Sequence, residues 1–321
     1  MTVIFVTFLF SACGTTAPHE YSGFVMDTYA QFKVWGGDAK ALFSTAQELD
    51  KLYSMYSLDS EISKINENSG EVSVSADTLS IIEQSITLNE EFGDGVNITV
   101  GGLTLLWNVT SDNPIIPQKG EIEAELSKLA KSNMIVSHED ETVTLSAGKL
   151  DLGAVAKGYA CDKIKAQLDG TDVKCAIVTF GSSSLLYGQK PDQKPFVVAV
   201  KNPDVNSGIL GELELSEGFI STSGGYERFF EIDGELYHHI LDVKTGYPVN
   251  TDLTSVTVIC DSGIKSDFLS TLIFIGGTKE LDKHLDSDGY YVIAVTDDKK
   301  IYMSDELKDS FMLMSNDFTV M

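Results

Sequence analysis

The sequence predicts an α+β fold, with mixed, largely antiparallel sheets and packed helices in a single compact unit. Helical apolar spacing, strand-like apolar runs between those segments, and a turn that joins two adjacent runs support this class. Apolar residues make up 43% of the 321 residues, which is enough to bury a large core and excludes an intrinsically disordered chain. No linker divides the chain.

Four helices and several strands are predicted in chain order. The helices cover residues 40–56, 77–92, 153–168 and 265–275, and the last ends at a Gly-Gly pair. Strands are predicted at residues 176–180, 196–200, 255–260 and 290–296. Residues 228–232 and 236–241 flank the turn Asp233-Gly234-Glu235, which predicts a β-hairpin.

The first residues predict an export signal. Residues 1–12 are apolar and uncharged, too short for a helix across about 30 Å of hydrocarbon, and typical of a signal peptide. The segment FSAC, ending at Cys13, resembles a bacterial lipobox. We assign residues 1–12 to a signal peptide, 13–20 to a lipidated Cys13 and its tether, and 21–321 to the folded domain. No Lys or Arg precedes the apolar run, so a start upstream of Met1 or a buried N-terminal strand stays open.

Charge and missing motifs exclude several function classes. The chain has 23 Lys and Arg against 48 Asp and Glu, a net charge of −25, which disfavours sequence-independent nucleic-acid binding. Rossmann, P-loop, zinc-protease and α/β-hydrolase motifs are missing from the sequence. The cysteines after Cys13 have no zinc-ligand spacing and are expected to be small buried residues.

Two glycine-containing segments could bind an anion. Residues 151–159 (DLGAVAKGY) lead from a strand into a helix, where glycines and free N–H groups favour a phosphate. Lys157 lies in the first helical turn, where it opposes the helix dipole unless an anion is nearby. Residues 221–228 (STSGGYER) could form an anion-binding nest. An ordinary strand–helix corner and a tight loop are the structural alternatives.

Two further segments carry candidate catalytic and metal-binding groups. Strand alternation places His239 on one face and His238 on the other, so we expect His238 at the surface. Asp267 and Thr271 are four residues apart on a predicted helix, and their oxygens suit Mg²⁺. The alternatives are a structural histidine, and an Asp that merely caps the helix.

In this order, the segments resemble the FAD:protein FMN transferase family, the ApbE-like flavin transferases. The resemblance spans about residues 22–305. The matching segments are MDT (26–28), SMY (54–56), SEISKIN (60–66), VNITVG (96–101) with LW (106–107), DLGAVAKGYACD (151–162), STSGGYERFF (221–230), HILDVKTGYPV (239–249) and SDFLST (266–271). Three positions depart from the family pattern: Asn97 replaces a frequent Asp, Val243 replaces Pro, and Gly181-Ser182-Ser183 replaces G-G-N or G-G-D.

The resemblance implies roles for individual residues. Asp267 and Thr271 would bind Mg²⁺ through side-chain oxygens and Ala154 through its carbonyl, with Ser270 beside them. His239 would be the general base, and Asp242 would orient it or its loop. The residues expected to contact FAD are Met26, Tyr56, Gly95, Val96, Asn97, Asp151, Lys157 and Leu241, with Tyr56 against a ring and Lys157 against the pyrophosphate.

The resemblance also implies a fold like that of ApbE and a reaction. FAD would be split at its pyrophosphate, FMN would be esterified to a Thr or Ser of an acceptor flavoprotein of an electron-transfer system, and AMP would leave. The alternatives are an FAD pyrophosphatase and a non-catalytic flavin-binding lipoprotein. The implied location is outside the cytoplasm, lipid-anchored to the bacterial membrane. Because FAD is anionic, we expect the acidic side chains mainly on the outer surface.

Overall fold

The computed structural model describes residues 17–204 and 208–321. The signal peptide assigned to residues 1–12 and the lipidation of Cys13 lie outside these ranges. The first strand begins at His19, so residues 19 and 20 belong to the fold and not to the tether to which we assigned them. Across the described ranges, no helix combines the length and the apolar character needed to cross a membrane.

The described residues form eight α-helices and seventeen strands. The helices are α1 (Ala39–Tyr53), α2 (Glu61–Glu67), α3 (Ala76–Phe92), α4 (Gly101–Trp107), α5 (Lys119–Leu129), α6 (Ala156–Asp169), α7 (Gly263–Gly276) and α8 (Thr278–Leu281). The strands are β1 (His19–Val25), β2 (Thr28–Trp35), β3 (Val72–Ser73), β4 (Met134–Ser137), β5 (Thr142–Leu145), β6 (Cys175–Phe180), β7 (Ser183–Gly188), β8 (Phe196–Lys201), β9 (Ile209–Leu215), β10 (Gly218–Gly224), β11 (Phe229–Ile232), β12 (Glu235–His238), β13 (Leu253–Cys260), β14 (Tyr290–Thr296), β15 (Lys300–Met303), β16 (Phe311–Leu313) and β17 (Thr319–Val320).

A nine-stranded sheet organises the molecule, in the order β1-β2-β6-β7-β10-β13-β14-β15-β17. Its pairs are antiparallel except for β15 with β17. Successive side chains leave the sheet on opposite faces, so Val258 joins the core that includes the buried faces of α1, α3, α6 and α7, while Ile259 joins a second core with β8, β9 and β16. The prediction of an α+β fold with largely antiparallel sheets is confirmed.

The predicted helices all exist, and α1, α3, α6 and α7 differ from the predicted bounds by up to three residues. The polar side chains of Asp38, Ser75 and Ser262 accept hydrogen bonds from the first-turn amides of α1, α3 and α7, and so fix where these helices begin. The predicted strand 290–296 is confirmed as β14.

The hairpin around Asp233-Gly234 is confirmed, but its second strand ends at His238 and not at Leu241. After His238 the chain turns, and residues 240–241 pair with residues 248–249. The Val249 N–H donates to the Ile240 carbonyl at 2.9 Å in this pairing. The prediction of a surface His238 is wrong. Its ring is 8% exposed, and Nε2 lies 3.1 Å from the Val249 carbonyl, which satisfies a buried polar group.

Helices α6 and α7 approach each other through two glycines. A Cβ atom at Gly158 would overlap the carbonyl oxygen of Gly263, and one at Gly263 would overlap that of Gly158. The helices pack this closely because neither glycine has a side chain. This contact brings the start of α6 against the first turns of α7, and two predicted site segments lie there.

Candidate active site

An open cavity of about 470 Å³ lies at one end of the nine-stranded sheet. Antiparallel pairing brings the β1–β2 turn, the β6–β7 turn and the end of β10 to this end of the sheet. The remaining walls come from the end of α1, the loop before α4, the start of α6, the chain after β12, and α7. The volume lies within the range of about 300–1,000 Å³ that is typical of small-molecule sites.

The cavity wall includes three of the four residues that we assigned to a metal. Ala154, Asp267 and Thr271 line the cavity, whereas Ser270 does not. Ser270 is 1% exposed and shares a 2.8 Å hydrogen bond with Ser223, which in turn lies 3.1 Å from the Thr271 hydroxyl. Ser270 therefore lies behind the cavity wall and supports the hydroxyl groups that face it.

The donor set fits a hard cation. A carboxylate, a hydroxyl and a backbone carbonyl are oxygen donors, which Mg²⁺ prefers, and they leave coordination positions for water and phosphate. The described part of the chain holds no group of three or more His, Cys, Asp or Glu side chains that could bind a metal, so a site rich in carboxylates or thiolates is not built there.

Asp267 is held by contacts on both carboxylate oxygens. The Ser183 hydroxyl donates to Oδ1 at 2.6 Å and the Gly158 N–H donates to Oδ2 at 2.7 Å. The Lys157 ammonium is 3.9 Å from Oδ2. Each carboxylate oxygen has two acceptor positions, so these contacts fix the side chain and still leave lone pairs for a cation. Sequence reasoning missed the contact from Ser183, which lies at one of the three family departures.

The eight residues predicted to contact FAD all line the cavity. Tyr56 lines the cavity with 53% of its surface exposed, and Phe24 and Tyr29 are two further exposed aromatic residues in the lining. Asn97 turns inward on its own loop, because its Oδ1 accepts from the N–H and the hydroxyl of Thr99, both at 2.8 Å. Asp151 accepts from the Thr104 hydroxyl at 2.7 Å. Their contact with FAD stays a prediction.

His239 lines the cavity and is neutral at physiological pH. Burial and then the Arg228 guanidinium lower its pKa from the ordinary value of a histidine to about 3. Its Nδ1 is 3.2 Å from the Arg228 carbonyl, which can only accept, so Nδ1 carries the proton and Nε2 keeps a free lone pair. The imidazole can therefore accept a proton through Nε2.

Asp242 is not brought to the cavity. Its carboxylate accepts from the Lys244 N–H at 2.8 Å and from the Thr245 hydroxyl at 3.2 Å. Both contacts hold the turn that follows Leu241, and His239 takes its orientation from the Arg228 carbonyl instead. Of the two roles that we gave Asp242, the geometry supports the ordering of the loop.

The cavity is more acidic than we expected. Five carboxylates line it, against two permanent cations, Lys157 and Arg228. The carboxylates are those of Asp27, Asp50, Asp151, Glu227 and Asp267. The prediction that acidic side chains lie on the outer surface therefore fails at this opening. Burial raises the pKa of Asp50, and the nearby Asp27 carboxylate adds to that shift.

The three cysteines that the structure describes do not line the cavity. Cys161, Cys175 and Cys260 are free and buried, as expected from their spacing. Burial raises the pKa of all three thiols, and that of Cys175 to about 11, so they carry no reactive thiolate at neutral pH.

Known proteins are similar to this chain in sequence and in fold. Residues 26–294 match the model of the ApbE family. A protein of Klebsiella pneumoniae named FAD:protein FMN transferase is 27% identical over 311 residues, which cover 94% of this chain and 96% of that protein.

Two solved structures are similar over most of their length. The ApbE protein of Thermotoga maritima superposes with a TM-score of 0.84 at 29% identity and covers 91% of this chain and 99% of its own. The flavin transferase ApbE of Vibrio cholerae has a TM-score of 0.79 at 26% identity, with 91% and 98% covered. The match to the family model extends over most of the chain and contains every residue that we placed at the cavity wall except Phe24. The chain therefore belongs to the ApbE family.

Proposed function

We propose that this protein is a Mg²⁺-dependent FAD:protein FMN transferase. It would transfer the FMN part of FAD to a Thr or Ser hydroxyl of an acceptor flavoprotein and release AMP. The observation that carries the proposal is the meeting, in one cavity, of Asp267, Thr271 and Ala154 with a neutral His239. Relatives of similar length bear the name of this activity, which supports the same reaction class.

The metal site follows from the oxygen donors. Asp267, Thr271 and Ala154 would hold Mg²⁺, which when bound would neutralise pyrophosphate charge and offset the five carboxylates of the cavity. The role of the chain itself is to fix the donors. Ser183 and Gly158 hold the Asp267 carboxylate, and Ser223 orients the Thr271 hydroxyl.

Transfer makes one bond and breaks one. The acceptor oxygen would bond to the phosphorus of the FMN half, and the bond from that phosphorus to the bridging oxygen would break, so that AMP leaves with the electron pair. Nε2 of His239 would take the hydroxyl proton. Since a pKa of about 3 makes a weak base in the ligand-free cavity, this step needs the negative phosphate nearby to stabilise the imidazolium.

Flavin binding would use the rim of the cavity. Tyr56 offers an exposed ring against which an isoalloxazine can stack, and Phe24 and Tyr29 are the other exposed aromatic rings among the described residues that line the cavity. Asp151, which Thr104 and the Gly153 N–H hold in place, offers a fixed acceptor in the cavity wall.

The test is transfer to a defined acceptor. The protein would be incubated with FAD, Mg²⁺ and a flavin-acceptor domain, and covalent flavin would be read by gel fluorescence and mass spectrometry. Asp267→Asn should lower transfer at least about 100-fold, because it removes the charge of the cation site. Lys40→Gln also changes the net charge by one unit, in the opposite direction and at an exposed position, and should transfer like wild type. Unchanged transfer by Asp267→Asn would refute the proposal.

AMP release without an acceptor separates the alternative functions. An FAD pyrophosphatase would release FMN and AMP at the same rate with and without the acceptor. A non-catalytic flavin-binding protein would bind FAD and release no AMP. The presence of a base lone pair on His239 beside the metal-binding residues favours turnover over binding alone.

We also propose that the protein acts outside the cytoplasm, anchored by lipid on Cys13, with an acceptor in an electron-transfer system. The lipobox-like segment before Cys13 supports this location. Expression in a bacterial host with labelled fatty acid should label the wild type and not Cys13→Ala. Equal labelling of both, or of neither, would contradict the anchor.

A further inference from the structure

The chain contains a single arginine, and it lies in the cavity. Among its 23 basic residues, 22 are lysines and one is Arg228. Arg228 is half-buried and lines the opening. A guanidinium differs from an ammonium in its planar fork of five donors, which matches two oxygens of a phosphate at once.

The Arg228 guanidinium is held in place by one hydrogen bond. Nη2 donates to the Asp27 carbonyl at 2.8 Å, across the cavity from the hairpin that carries Arg228. Asp27 and its neighbour Met26 both have φ of +53°, which costs non-glycine residues about 1–3 kcal/mol each, so the turn gains from an external hold. One nitrogen thus anchors the guanidinium, and the other donors stay available to a ligand.

The guanidinium has no carboxylate partner. Over the described ranges of the chain, ion pairs join many lysines to the abundant carboxylates, but none involves Arg228. The other cavity cation is committed, since Lys157 donates to the Gly153 carbonyl at 3.3 Å and lies 3.9 Å from Asp267. Arg228 is therefore the cation of the cavity that can meet an incoming anion without first leaving a carboxylate.

Arg228 is close to both parts of the site that a phosphate must connect. Its charge lowers the pKa of His239 and opposes the raised pKa of Tyr56, so it is close to both side chains. Its backbone carbonyl also holds His239, through the His239 N–H at 3.1 Å. If Tyr56 contacts the flavin ring and His239 faces the acceptor hydroxyl, the phosphate of the FMN half lies between them.

We propose that Arg228 binds the phosphate of the FMN half of FAD, with the Asp27 carbonyl as its fixed anchor. This inference rests on the proposed function. It gives the lone arginine a role in substrate binding, and it assigns the recognition of the transferred phosphate to a side chain outside the predicted flavin and metal sets.

Binding of flavins with and without a phosphate tests the assignment. FAD, FMN and riboflavin would be titrated, at fixed Mg²⁺, into wild type, Arg228→Gln, Arg228→Lys and the exposed control Lys40→Gln, with flavin fluorescence as the readout. Arg228→Gln should bind FAD and FMN at least about tenfold more weakly and riboflavin within twofold of wild type. Arg228→Lys keeps the positive charge and loses the planar guanidinium, so its affinity for FAD and FMN should lie between those of wild type and Arg228→Gln.

The outcomes distinguish a failure of the Arg228 assignment from a failure of the proposed transferase. Equal weakening of riboflavin and FMN by Arg228→Gln would show that Arg228 only holds the turn, and would overturn the proposal, as would unchanged binding of all three flavins. A wild type that binds FAD but transfers no FMN would refute the proposed transferase and leave the phosphate assignment standing. A wild type that binds no FAD would overturn both.

Discussion

Replacing Gly158 with Ala should separate α6 from α7 and release Asp267. The added Cβ would overlap the Gly263 carbonyl oxygen and lie 2.9 Å from the Ile264 nitrogen, and these atoms are backbone that cannot rotate away. Since non-bonded carbon contacts lie at about 3.5–4.0 Å, the helices must move apart by roughly 1 Å. That movement breaks or strains the 2.7 Å bond from the Gly158 N–H to Asp267.

The expected change in the free energy of unfolding of Gly158→Ala combines three effects. Overpacking costs about 1–3 kcal/mol, and loss of a hydrogen bond to a buried carboxylate costs about 1.5–3 kcal/mol. The higher helix propensity of Ala returns about 1 kcal/mol. We therefore expect the free energy of unfolding to fall by about 1.5–5 kcal/mol, and FMN transfer to weaken because the carboxylate at the proposed metal-binding position has lost a contact.

Urea unfolding followed by circular dichroism measures this change. The matched control is Gly120→Ala in α5, where an added Cβ meets nothing within 4 Å. The control should be neutral or more stable by up to about 1 kcal/mol. Equal free energies of unfolding for Gly158→Ala and Gly120→Ala would refute the close-contact argument, whatever the effect on transfer.

Three further predictions use the same unfolding assay. Ser183→Ala should lose about 1.5–3 kcal/mol, because it removes the donor to Asp267, and a loss below about 0.5 kcal/mol would contradict that role. Trp107→Phe should lose about 2–4 kcal/mol, since the indole N–H donates to the Gly246 carbonyl at 2.7 Å in a buried cluster, and wild-type stability would count against it. The lowered pKa of His239 means that the unfolded state binds the proton, so stability is full above about pH 6.5 and falls as the pH drops toward 3. Between pH 7.5 and 5, the free energy of unfolding of His239→Gln should therefore fall by about 1–2 kcal/mol less than that of wild type. Parallel plots of stability against pH for the two proteins would contradict the lowered pKa of His239.

The sequence alone determined most of the local structure. Helix α3 follows from apolar residues at helical spacing and from Ser75 at its start, and the β11–β12 turn follows from Asp233-Gly234, both at positive φ. Most of the predicted site residues also line the cavity, because motif residues keep their spacing within short segments, and the exceptions are Ser270 and Asp242. Such features depend on neighbours in the chain.

The tertiary structure decided which segments contact each other, which side chains are buried, and how the pKa values of those side chains are shifted. The contact of Gly158 with Gly263 seats Asp267, and the 84-residue separation of Ser183 from Asp267 hides their hydrogen bond from any local pattern. His238 is buried because the chain turns back after it, which strand alternation cannot foresee. The low pKa of His239, about 3, arises from burial and from the Arg228 guanidinium. Both effects act through space, and the sequence alone does not show which side chains lie close together.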